Sequence, residues 1–168
     1  MAAYEESPYQ IIAKFQQPPA APPVDVDAIA RALNINVYKL DLGRDISAQL
    51  VRDRIRGGSS GFAIYVNSGE AAYRQRFSVA HELAHYVLHR DLIESGVTDD
   101  TLYRSKELSS YLEVEANKMA ADILMPIRLL KQSFQEIRRL SALAELFQVS
   151  QQAMEIRLKG IWAHPVLR

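Results

Sequence analysis

The chain has 168 residues, with 20 Lys and Arg balancing 20 Asp and Glu, so its formal net charge is zero. That length suits one domain with a real core, and 48% apolar with 24% charged residues excludes a wholly disordered chain. The absence of cysteine removes disulfides, thiolate nucleophiles and Cys-ligated metals, and the charge balance disfavours a general nucleic-acid binder.

The elements follow in chain order. The start carries Glu5 and Glu6 and lacks an apolar signal core, so the expectation is a protein that stays in the cytoplasm. No apolar run is long enough for a membrane span. Residues 9–15 read as a short helix. Four prolines, Pro18, Pro19, Pro22 and Pro23, then read as an extended connector, which makes 1–23 an arm. Residues 24–33 read as a helix capped by Asp25 or Asp27, with Ile29 and Leu33 on one face. Residues 35–40 alternate as a strand. Residues 46–52 fit helix or strand; a strand is preferred because residues 62–67, entered through Gly57-Gly58-Ser59-Ser60-Gly61, offer a hairpin partner. Past Glu70 the pattern is helical: 72–89, 106–124 up to Pro126, and an amphipathic stretch over 127–140. Two short helices close the chain, 142–147 and 151–158, with Ser150 as N-cap. Strands followed by helices predict an α+β fold. We divide it into a domain over 24–140 and a helical extension over 141–168 packed on it.

Three of the four histidines fall within nine residues, and His81-Glu82-Leu83-Ala84-His85 matches H-E-x-x-H. Residues four apart share a helix face about 6 Å apart along the axis, so two imidazoles can converge on one ion. Glu82, rotated about 100° from His81, reaches a water beside that ion instead, as a general base. By chance the motif arises on the order of once in a few hundred chains of this length. Phe77, Ala80, Ala84, Val87 and Leu88 form an apolar back for this helix, and Arg74, Ser78, His81, Glu82, His85 and His89 an outward front.

Catalytic zinc usually takes three protein ligands. His89 lies about 12 Å along the axis from His81, too far to share its ion, and is read as a polar neighbour of the site. His164 reads as an incidental terminal residue. The third ligand is then a carboxylate from the second long helix, which offers Glu107, Glu113 and Glu115. Glu115 groups with Lys118 and Asp122 in a solvent stripe. Glu113 shares a small-residue face with Ala116, Asn117 and Ala120, and an inward carboxylate needs a cation. Glu113 is therefore chosen, with Asn117 placed to hydrogen-bond a ligand histidine and set its tautomer.

Taken together, these residues resemble the ImmA/IrrE family of zinc metallopeptidases, of the gluzincin group. The carriers are Pro22-Pro23-Val24-Asp25-Val26, the run from Arg74 to His85 followed by Leu88-His89, then Glu113-Val114-Glu115-Ala116-Asn117 through Leu124-Met125-Pro126, and Leu143 to Ser150. The resemblance spans about 22–159. Met119 and Ala84 depart from the family's usual aromatic and glycine without removing chemistry. The resemblance implies a zincin-like helical core with a small antiparallel sheet, one zinc ion on His81, His85 and Glu113, and Glu82 as catalytic glutamate. It also implies an endopeptidase that cleaves a helix-turn-helix transcriptional repressor and so relieves repression. Histidine–carboxylate sites also accept manganese and other divalent ions. Tyr103, in the loop between the ligand helices, is the preferred oxyanion stabiliser over Arg104, His89 and Tyr111. Residues 62–67, if an edge strand, could pair with an extended substrate.

Two rivals stand. Residues 141–159 have helix-turn-helix spacing, but Glu145 and Glu155 cancel Arg157 and Lys159, where phosphate binding favours positive charge. We read that unit as packing or repressor docking, with no direct nucleic-acid contact. The other rival binds metal and repressor without cleaving, an antitoxin-like regulator; the intact Glu82 disfavours it.

Overall fold

A computed structural model describes residues 6–94 and 106–163. Helix α1 (Pro8–Lys14) opens on a reciprocal cap: Ser7 Oγ accepts from the Gln10 backbone N–H, and the Gln10 side chain accepts from that of Ser7. The proline stretch folds through turns rather than running extended. Arg128 holds it, donating to the carbonyls of Gln16 and Ala20. Helix α2 (Val26–Ala32) is capped by Asp25, whose Oδ1 accepts from Ala28 N–H at 2.9 Å. It stops at Asn34, which takes a left-handed φ of 59°.

Strands β1 (Asn36–Leu40), β2 (Ala48–Arg52) and β3 (Phe62–Asn67) form one sheet in the order β1-β3-β2. The expected hairpin is present, with β2 antiparallel to β3. The sheet is nevertheless mixed rather than antiparallel throughout, because β1 runs parallel to β3. Strand β3 enters between the other two because it is the apolar one. Phe62, Ala63, Ile64 and Val66 are all buried, whereas β1 and β2 are half-exposed. The loop from β1 to β2 must therefore arch over the end of β3. Asn67 stands beneath that arch, donating to the carbonyls of Gly43 at 2.7 Å and Ile46 at 2.8 Å and accepting from Gly69 N–H. At the opposite end Gly58 lies so close to the Asn34 carbonyl that a Cβ would sit 2.0 Å from its oxygen. Asn67 is only 4% exposed. Asn67→Ala removes both of these bonds from a buried amide and should cost about 2–3 kcal/mol in urea unfolding.

Helix α3 (Ala72–Glu94) lies between the sheet and α4 (Lys106–Leu124). It continues past the expected end at His89. Ala80 and Ala84 are fully buried as expected, but Val79, Leu83 and Tyr86 join them, while Phe77, Val87 and Leu88 are half-buried. A helix with neighbours on two sides has two backs, which a single apolar stripe does not capture. Ala116 and Ala120, both 0% exposed, let α4 approach closely. Helix α5 (Ile127–Glu136) follows Pro126 and breaks at 137–139, earlier than expected. Helix α6 (Leu140–Phe147) ends on left-handed Gln148, and α7 (Gln151–Ala163) begins on Ser150, whose Oγ accepts from Ala153 N–H at 3.0 Å. The helix-turn-helix-like pair packs into the main core through Leu143, Phe147 and Met154, each 0% exposed. Among the described residues no helix is long and apolar enough to cross a membrane.

Candidate metal centre

Helix α3 presents His81 and His85 one turn apart on the side facing α4, and α4 returns Glu113 to meet them. The Nε2 atoms of His81 and His85 lie 3.0 Å apart. Glu113 straddles them, Oε2 at 3.1 Å from His81 and Oε1 at 3.1 Å from His85. Among the described residues this is the only group whose donor atoms cluster closely enough for a metal ion. The fit is good. A tetrahedral ion bonded at about 2.0–2.1 Å needs ligand atoms about 3.3 Å apart, close to the triangle found. All three atoms are nitrogen or oxygen donors of the kind that hold zinc.

The electrostatics follow from the same triangle. Two histidine hydrogen bonds hold the Glu113 carboxyl well below the usual carboxylate range, against the smaller effect of burial. Burial pushes the His81 imidazole down, but the Glu113 hydrogen bond and the charges of Glu82 and Glu113 outweigh it, so its pKa ends above the ordinary value. Asn117, one turn beyond Glu113, lies beside His81 and adds a weaker push the same way. The buried Nδ1 of His81 has no hydrogen-bond partner among the described residues.

Glu82 sits next to the cluster without joining it. Burial raises its pKa above the ordinary carboxylate value, opposed by the His85 and His81 rings and by the Leu50 backbone amide of β2. Such a carboxylate is readied to accept a proton.

His89 is buried behind His85, 5% exposed, with its Nδ1 2.9 Å from His85 Nδ1 and its Nε2 3.2 Å from Glu115 Oε2. Both ring nitrogens are engaged, so His89 has no donor left for an oxyanion. Burial lowers its pKa, with Glu115 opposing. Glu115 therefore has a buried partner and is more than part of a solvent stripe. The Tyr111 hydroxyl is also turned to Glu115, which removes it as an oxyanion candidate. Tyr103, Arg104 and His164 lie outside the described residues.

The cluster opens into a cleft of about 1040 Å³. One wall is the loop and strand from Asp45 to Leu50; Phe77 and Leu112 come from the ligand helices, and Val149, Ala153 and Ile156 from the C-terminal pair. Tyr73, Arg74, Ser78, Asn117, Ser150 and Gln152 are further hydrogen-bond donors that line it. Strand β3 is central, so the edge strand here is β2 instead of residues 62–67. Its odd-numbered residues face β3, as Ser47 O accepting from Asn67 N–H and Asp53 N–H donating to Gly61 O show. Its even-numbered residues, Ala48 and Leu50 among them, direct their backbone groups to the free edge. Alternation in the sequence cannot identify an edge, and the Glu115–His89 contact needs the distance between two helices; neither left a local signal.

Residues 30–159 match the family model of the IrrE N-terminal-like domain, peptidase M78. No curated protein matches the chain in sequence. Among solved structures the fold is similar to a Mycobacterium tuberculosis transcriptional regulator, with a TM-score of 0.67 and 20% identity over 96% of this chain and 48% of that one. This chain thus spans about half the length of that protein, and at such identity the likeness is one of fold. The family match runs from α2 into α7 and contains every residue of the cluster, so the chain belongs to the metallopeptidase-like IrrE N-terminal-like domain family.

Proposed function

We infer that the protein is a zinc-dependent endopeptidase acting on a helix-turn-helix transcriptional repressor. The observation that carries this reading is the His81–His85–Glu113 triangle with a half-buried carboxylate, Glu82, beside it in the lining of an open cleft. A divalent ion held by the triangle supplies Lewis-acid polarisation of water and of the scissile carbonyl. Glu82 takes the proton of the attacking water and returns it to the leaving nitrogen. The free edge of β2 offers the backbone groups of Ala48 and the carbonyl of Leu50 to an extended peptide, which fixes its direction and register. The family resemblance supports a repressor as the substrate.

The helix-turn-helix-like pair supports proteolysis over DNA binding. Ser150, Gln152, Ala153 and Ile156 of its second helix line the cleft, so that helix serves as a substrate wall. Ile156 is 65% exposed there. Ile156→Glu should lower repressor cleavage about 10–100-fold with unchanged zinc affinity; equal cleavage would remove α7 from substrate binding. The test of the function itself is incubation with a helix-turn-helix repressor encoded beside its gene and zinc or manganese, alongside Glu82→Gln. Metal-dependent cleavage lost in the variant supports the peptidase. Binding without cleavage under any metal would establish the non-proteolytic regulator instead.

A further inference from the structure

A second line of polar groups leaves the back of the metal cluster and crosses from α3 to α4. It runs from His85 Nδ1 to His89 Nδ1 at 2.9 Å, and from His89 Nε2 to Glu115 Oε2 at 3.2 Å. Two facing Nδ1 atoms at that distance share one proton, so one ring donates and the other accepts. Which ring donates decides whether His85 can be a ligand at all.

An imidazole that binds an ion through Nε2 carries its remaining proton on Nδ1. His85 must then donate to His89. His89, accepting at Nδ1, carries its own proton on Nε2, where it meets the Glu115 carboxylate. An ionised carboxylate only accepts, so the line has one consistent direction: His85 to His89 to Glu115. A doubly protonated His89 gives the opposite outcome. It would donate from both nitrogens, force His85 Nδ1 to accept, and place the His85 proton on Nε2, where it blocks the ion. A simple His89–Glu115 ion pair and a working metal site therefore demand different tautomers of His85.

We propose that Glu115, acting through the buried His89, is a positioning residue that holds His85 in its metal-binding tautomer. Carboxylates commonly do this by touching the ligand histidine directly; here a histidine 5% exposed is interposed between them. The arrangement is one-sided, since His81 Nδ1 has no hydrogen-bond partner among the described residues. The proposal rests on the reading of His81, His85 and Glu113 as ligands.

The test uses the full chain loaded with zinc. Long-range ¹H–¹⁵N spectra of the rings should show His85 protonated at Nδ1 alone and His89 at Nε2 alone. Chelator competition should show zinc affinity about 10–100-fold weaker in His89→Ala and Glu115→Leu. His89→Gln, whose carbonyl can accept from His85, should recover most of that loss. Glu115 has 37% of its side chain exposed, so Glu115→Leu should fold even if His89→Ala does not, and thermal unfolding of the metal-free forms checks this. Wild-type zinc affinity in folded Glu115→Leu, or a doubly protonated His89 in the loaded protein, would overturn the proposal. Absence of zinc binding by the wild type would instead overturn the ligand reading beneath it.

Discussion

Glu82→Gln should leave zinc affinity unchanged and lower repressor cleavage about 10²–10⁴-fold, the range lost with a general acid–base group. The amide keeps the size of the carboxylate but accepts no proton from the attacking water. Glu82 lies outside the ligand triangle, so the ion stays. The same substitution has a signature in the metal-free protein. Burial raises the folded-state pKa of Glu82 above its unfolded value. A carboxyl raised in this way binds more protons folded than unfolded, so its ionisation destabilises the fold as pH rises past the unfolded value. The Gln variant escapes that cost. Its melting temperature should equal or exceed wild type at neutral pH, with the gap closing as pH falls. Full cleavage by a folded, zinc-loaded Glu82→Gln would remove Glu82 from the chemistry.

Glu113→Ala should weaken zinc binding by at least about 10²-fold, beyond the loss typical of a residue behind a ligand. Only His81 and His85 remain, and their Nε2 atoms, 3.0 Å apart, lose the carboxylate that spans both. Proton linkage sharpens the test. The Glu113 pKa is depressed by its histidine bonds, so its contribution to metal-free stability is present above the ordinary value of 4.5 and lost as pH falls below it. The His81 pKa is raised above 6.5, so its half of the pairing is present at lower pH and lost as pH rises through that raised value. Wild type should therefore exceed Glu113→Ala in metal-free stability most clearly between those limits. Because bound His81 must be neutral, wild-type zinc affinity should fall with acidification, starting above pH 6.5. A variant that keeps wild-type zinc affinity would show that Glu113 is no ligand.

The parts of this site legible in the sequence are those set by one helix at a time. The angle of about 100° per residue separates Glu82 from His81 and Glu113 from Glu115 without any knowledge of what packs nearby. Asp25, Pro126 and Ser150 mark helix starts because capping is local. What escaped depends on relations between elements. Period-two alternation says which face a residue takes and nothing about neighbours, so the entry of β3 between β1 and β2, and with it the identity of the edge strand, stayed hidden. The break at 137–139 carries neither Gly nor Pro. Glu115 looked solvated because Lys118 and Asp122 share its stripe; the close approach permitted by Ala116 and Ala120 is what brings it to His89.

The cleft takes one wall from residues 45–50 and another from residues 149–156, on opposite flanks of the ligand helices in the chain. During synthesis the strand wall leaves the ribosome first, the His-Glu helix next, and α7 last. A chain from which α7 has yet to emerge lacks the wall of Gln152, Ala153 and Ile156, so it has only half a channel to grip a peptide. The proposed protease thus acquires the means to select a target only after the residues that could cut have been synthesised.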